Sequence, residues 1–144
     1  LHAELGDLMT GAMTVVRYND KLKTCLNDIG KLKERFWKIS LTDKGAWLNQ
    51  PLMFSRQLHN MLILAEAMTA GALARDESRG AHYKPDFPER NDAQFLKTTI
   101  ATYTADGPQL SYRDVDTHLI KPRPRKYDVD KQATAQPATA GATT

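Results

Sequence analysis

The chain has 144 residues, 41% of them hydrophobic and 26% charged, the composition of one ordinary globular domain. It holds no run of the ~18–20 apolar residues that a membrane-spanning helix needs. Its N-terminus also lacks a basic segment followed by an apolar core, so secretion is not expected and a cytoplasmic location is. Lysine and arginine (20) exceed aspartate and glutamate (17) by only three, too little for a surface built to coat phosphate, and no nucleic-acid partner is expected.

Cys25 is the single cysteine, which excludes an intramolecular disulfide and a thiolate zinc site. His2, His59, His82 and His118 are spaced so that no two share a helix face within one turn, and no metal site is expected. The eight glycines form neither a Gly-x-Gly pair nor a Gly-x-x-x-x-Gly-Lys run, so no phosphate cradle for a nucleotide or flavin is expected in these residues. The chain opens at Leu1 rather than Met, with an apolar pattern already running in its first turn. A piece of a longer polypeptide is the expectation.

In chain order, Leu5, Leu8, Ala12 and Val15, flanked by Met9, Met13 and Val16, predict a first helix, which Gly6 and Gly11 weaken. Tyr18, Leu22, Cys25, Ile29, Leu32, Phe36 and Ile39 recur at alternating steps of four and three and predict a second. Its opposite face is rich in lysine, and Cys25 reads as a small apolar member of the seam. Phe54, Leu58, Met61, Ala65, Met68 and Ala72 repeat the pattern in a third helix, widened by Leu62 and Thr69 and started at Asn49 or Gln50 ahead of Pro51. Three such helices bury their seams only against one another, so the expected fold is mainly α: an antiparallel, spectrin-repeat-like three-helix bundle.

The helical pattern stops near Arg75 to Ser78, with Gly80 placed as a helix C-cap, and residues 79–92 with Pro85 and Pro88 read as a loop. Residues 96–104 and 109–115 are rich in Thr, Tyr, Ile and Val around a turn at Asp106, Gly107 and Pro108, which predicts a β-hairpin. Lys121, Arg123, Arg125 and Lys126, broken by Pro122 and Pro124, predict an extended basic arm. The expected organisation is therefore a bundle over 1–78, a loop over 79–95, hairpin and arm over 96–128, and a disordered Ala/Thr-rich tail over 129–144.

The densest cluster of unusual residues is Arg75, Glu77, Ser78, Arg79, Gly80, His82, Lys84, Asp86, Phe87, Pro88, Arg90 and Asp92. It resembles the signature in the C-terminal helical domain of succinate dehydrogenase and fumarate reductase flavoprotein subunits, a family related to L-aspartate oxidase. The chain departs from that pattern at Lys84, where arginine is common, and at Asn91, where an acid is common. Residues 32–35, 60–66, 112–116 and 121–127 carry the same resemblance, so it runs from about Leu5 to Asp128.

That resemblance implies a multidomain parent enzyme that moves a hydride between succinate and fumarate through covalently held FAD. It further implies an iron–sulfur subunit that receives the electrons, quinone beyond it, and membrane anchor subunits that hold the assembly indirectly at the inner face of the cell membrane. The flavin-binding and dicarboxylate-binding residues of such enzymes lie in upstream FAD-binding and capping domains, so no catalytic or cofactor-binding residue is expected in this chain. Arg75, Glu77, Arg79, His82 and Arg90 are the candidates for docking onto those domains, and Arg123 and Arg125 for contact with a partner subunit. Three readings stand for Arg79 and His82: docking across to the flavin domain, a role near the flavin itself, or a purely local tie between the loop and the helix end. The adjacent acids Asp76 and Glu77 point about 100° apart on a helix and read as partners of Arg75 or Arg79 rather than as an acid–base pair. A second class of function is a free-standing three-helix interaction module whose basic arm binds an acidic partner.

Overall fold

The computed structural model describes residues 1–123. Three main helices come first: α1 (His2–Ala12), α2 (Asn19–Phe36) and α3 (Gln50–Ala74). A four-residue helix, α4 (Asp92–Phe95), leads into strands β1 (Lys97–Thr102) and β2 (Gln109–Asp114), which pair antiparallel from Lys97 opposite Asp114 to Thr102 opposite Gln109. The expected class, a mainly helical bundle with a C-terminal hairpin, is the observed one.

Local chemistry sets the helix limits. The Asn49 side chain accepts a hydrogen bond from the Leu52 N–H at 2.9 Å, and Pro51 sits in the first turn where its missing N–H leaves no bond unmade. Asp20 near the start of α2 and Lys33 and Arg35 near its end match the helix dipole. α3 stops where Arg75 turns extended, at φ −104° and ψ 96°.

Cross-helix pairs fix the packing. Phe36 lies against His59, Lys33 reaches Glu66 and Asn19 reaches Asp76, so α2 and α3 run antiparallel along most of their length. Arg35 forks onto Glu4, which ties α1 antiparallel to α2. Leu5, Cys25, Ile29, Leu32, Phe36, Leu62 and Ala65 form the core between them. Thr69 is wholly buried, and its hydroxyl donates to the Ala65 carbonyl at 2.7 Å, which satisfies it one turn back.

Several sequence expectations shift in detail. The buried face of α3 is Leu62, Ala65, Thr69 and Ala72 rather than the row through Phe54, Met61 and Met68, whose side chains stand exposed. The expected seam is therefore right in its step and in four of its members, Ala65 and Ala72 with the widening residues Leu62 and Thr69, and too wide on the side of Phe54, Met61 and Met68, because α3 is apolar on more than one side. Val15, in a bend, and Val16, which bridges Tyr83, lie beyond the end of α1 and so are not on its core face. Tyr18 is the residue flanking α2 rather than a core position, and Ile39 lies past its end. Gly80 has the expected positive φ of 60°, but it opens the tight Arg79–His82 turn instead of closing a helix. The segment read as loop also contains α4, capped by Asn91.

The hairpin lies against α3, where a Cβ placed on Gly71 would sit 3.8 Å from a Thr99 methyl. If the packing is as described, Leu62→Ala should destabilise the chain by about 2–5 kcal/mol. Its neighbour Met61, on the outward side, should tolerate alanine within about 0.5 kcal/mol. Urea unfolding followed by circular dichroism checks the pair, and the reverse order would place the wrong face in the core.

Candidate functional site

The site is the connection between α3 and β1, and its centre is Glu77. This carboxylate is wholly buried, yet all its partners are charged or backbone donors. Arg79 grips it with two parallel N–H donors at 2.9 Å, Arg75 donates to the same Oε1 as Arg79 Nε, and the Asn91 backbone N–H donates to Oε2 at 2.9 Å. Burial alone would raise the Glu77 carboxyl, but the Arg79 bonds, the Asn91 N–H and Arg75 outweigh it and hold the pKa below its ordinary 4.5. A carboxylate so enclosed and so firmly ionised is a crosslink, not a proton donor.

The two arginines carry the network outward. Arg75 donates to the carbonyls of Phe95 (2.8 Å) and Lys97 (2.6 Å) and to the Thr99 hydroxyl (3.1 Å), with its guanidinium over the Phe95 ring. Arg79 reaches Asp92 at 2.7 Å, and Arg90 shares that carboxylate while also donating to the carbonyl of Arg123. Glu77, Arg75, Arg79 and Arg90 are therefore brought together, as the sequence cluster suggested.

On the other side of the chain, Asp76 turns away from Glu77, because α3 has already ended at Ala74. Its partners are Lys84 at 2.9 Å and Asn19 at 3.1 Å, so the ion pair expected with Arg75 or Arg79 holds for Glu77 and not for Asp76. Lys84 is almost completely buried and also donates to the Leu73 carbonyl at 3.1 Å. It thereby places a cation at the C-terminus of α3, whose own last turn contains no basic residue. Ser78, also buried, accepts from the Lys84 N–H and donates to the Phe87 carbonyl at 2.7 Å, closing the loop on itself.

His82 joins this loop to the α1–α2 connection. Its Nε2 lies 3.0 Å from the Arg75 carbonyl, which can only accept, and its Nδ1 lies 2.6 Å from Arg17 Nη1, which can only donate. The ring is therefore the neutral tautomer protonated on Nε2. Burial foremost, with the cations Arg17, Lys84 and Arg75 adding to it, lowers its pKa from 6.5. Backbone bonds from Arg17 N to Tyr83 O (2.8 Å) and from Tyr83 N to Val15 O (3.0 Å) complete the junction.

Arg17 and Asn19 are the members that sequence reasoning did not select, while Lys84 and Asn91 were noted only as departures from the family pattern. Arg17 stands 65 residues from His82, and the only local trace of its role is a lone basic residue in the connection Val15, Val16, Arg17, Tyr18. Arg123 enters through its carbonyl, and Arg125 and the 129–144 tail lie outside the described residues. Among the described residues, no group of three or more His, Cys, Asp or Glu side chains is placed to hold a metal, and no helix is long and apolar enough to cross a membrane.

FAD, which the sequence resemblance implies for the parent, does not fit the residues present. A groove of about 750 Å³ between α1 and α2 is lined by four acids, Glu4, Asp7, Asp20 and Asp28, and three bases, Lys21, Lys31 and Arg35, with Lys31 already paired to Asp28 and Arg35 to Glu4, so it offers no excess of positive charge to a diphosphate. The arginines and the lysine of the loop are engaged with Glu77, Asp92 and Asp76.

A helical bundle closed by a charged loop and a hairpin is the architecture of a known class, and the comparisons identify it. The chain belongs to the family described as fumarate reductase flavoprotein C-term, whose model matches residues 2–127. It is 53% identical over 135 residues to the succinate dehydrogenase flavoprotein subunit of Bacillus subtilis, covering 92% of this chain and 23% of that one. It is 35% identical over 133 residues to the fumarate reductase flavoprotein subunit of Escherichia coli, covering 90% and 22%. Among solved structures, a chain of an E. coli quinol fumarate reductase variant superposes with a TM-score of 0.77 at 33% identity, covering 86% of this chain and 22% of that one. The resemblance read from the 75–92 cluster is borne out, and the chain spans less than a quarter of the length of these relatives.

Two outcomes follow for the site. Glu77→Ala leaves two arginines facing an emptied pocket and should destabilise the fold by about 3–5 kcal/mol in urea unfolding. For His82 the folded pKa is depressed, so as pH falls past 6.5 the unfolded chain takes up this proton and the folded one does not. Stability should hold above 6.5 and decline below it. The urea midpoint should thus drop between about pH 7.5 and about pH 5.5, and should drop less in His82→Gln.

Proposed function

We propose that this chain is the C-terminal domain of a flavoprotein subunit that interconverts succinate and fumarate. In this reading FAD is held by upstream domains of the same polypeptide, and electrons pass to an iron–sulfur subunit and on to quinone, with anchor subunits fixing the assembly at the inner face of the cell membrane. The observation that carries it is the 53% identity to the B. subtilis succinate dehydrogenase subunit over 92% of the chain.

Within such a subunit the domain is a brace and contributes no catalytic group. The loop around Glu77 supports this role, since its charges are spent holding three separated segments of the chain in one rigid piece. The rims of Arg75, Arg79, His82 and Arg90 then form part of the surface that meets the FAD-binding and capping domains, and Arg123 with Arg125 the arm that meets a partner subunit.

The test is the mass and visible spectrum of the native polypeptide captured with an antibody raised against this domain. A chain several times larger than 16.2 kDa, with flavin absorbance that survives denaturation, is the expected result. A colourless native chain near 16.2 kDa would overturn the reading and leave a free-standing interaction module.

A further inference from the structure

Helix α3 is apolar well beyond its core-facing side. Arg56 and Glu66 are the only charged residues among its 25, whereas α2 carries a charge at nearly every second position on the side away from the core. Opposite the buried row of Leu62, Ala65, Thr69 and Ala72, a second row of Met53, Gln57, Asn60, Leu64 and Met68 runs along the outside. These positions recur every three or four residues and so lie on one face.

Met53, Leu64 and Met68 on that face are 61%, 61% and 56% exposed, and Phe54 beside it is 63% exposed. A helix apolar on both faces is ordinarily buried on both. At the start of the same helix, Trp47 is 87% exposed, and Leu48 next to it is held at φ +50°, a left-handed conformation that leucine rarely adopts. Exposed apolar rows of this kind mark an interaction surface.

We propose that the outward face of α3, from Met53 to Met68, is the seat of the upstream part of the same polypeptide, an inference that rests on the reading under Proposed function. Two observations favour this occupant over a separate subunit or a second copy. More than three quarters of each relative's length lies outside the region this chain matches. The face is also uncharged: Met53, Phe54, Leu64 and Met68 make up its exposed apolar surface and the amides Gln57 and Asn60 are its polar members, a composition closer to a permanent contact than to surfaces that meet and part, which keep more charge. Methionine suits the role, because its flexible thioether fills an irregular apposed surface.

The experiment is peroxide oxidation of methionine in the native full-length flavoprotein subunit, each site read by peptide mass spectrometry against its rate in urea. Met53, Met61 and Met68 should oxidise at least about five-fold more slowly in the native subunit purified without its iron–sulfur partner. Rates close to those in urea at Met53 and Met68 would overturn the proposal. Protection that appears only on adding the iron–sulfur subunit, or only as protein concentration rises, would overturn it too, since the occupant would then be another chain. Leu64→Lys in the full-length subunit leaves the bundle core untouched and should speed oxidation of Met61 and Met68. Unchanged protection in that variant also counts against the proposal. A native polypeptide of 16.2 kDa would instead defeat the underlying reading, so the two failures are told apart.

Discussion

One buried carboxylate organises the second half of this chain. Moving an ion such as Glu77 out of water costs several kcal/mol, and the structure offsets this with two guanidinium groups and a backbone N–H arranged around its two oxygens. Everything after α3 depends on that arrangement, because the segment has little apolar burial of its own. No residue of α4 is buried, and the hairpin strands are exposed or only half-buried along their length. A two-stranded hairpin is marginal alone. Here Arg75 fastens it by the carbonyls of Phe95 and Lys97 and the hydroxyl of Thr99.

The same segment is fixed from its opposite side by uncharged and oppositely charged partners on the bundle. His82, neutral and trapped between a carbonyl and Arg17, couples the loop to the link between α1 and α2. Asp76 and Lys84 couple it to the start of α2 and the end of α3. The end of α3 at Ala74 makes this possible: Asp76 and Glu77 are adjacent in sequence and serve two separate networks.

Much of the fold was legible because a helix repeats its surroundings. The seam through Leu22, Cys25, Ile29, Leu32 and Phe36 has one apolar face and one charged face, and all five are buried. α3 was only partly legible, since apolar residues on two faces let the expected row include the buried Leu62, Ala65, Thr69 and Ala72 together with the outward Phe54, Met61 and Met68. The candidate site divides along similar lines. Its members were visible as a dense run of charges from Arg75 to Asp92, but their pairing was not, because it depends on where α3 stops and on Arg17 and Asn19, which no local pattern connects to the loop. The burial of Lys84 follows from a helix end that needs a cation, a need that becomes apparent only once the end is located.

That lysine has a thermodynamic corollary. Because the charge that complements the end of α3 is delivered by the loop, the last helical turn and the loop form a single opening unit, each losing its partner when the other lets go. Free energy put into one is then felt in the other. By linkage, any contact that holds the loop in place tightens the end of α3 by the same amount, and any contact that stiffens α3 returns it to the loop. A grip on the charged surface and a grip on the long helix would reinforce each other without a residue changing position.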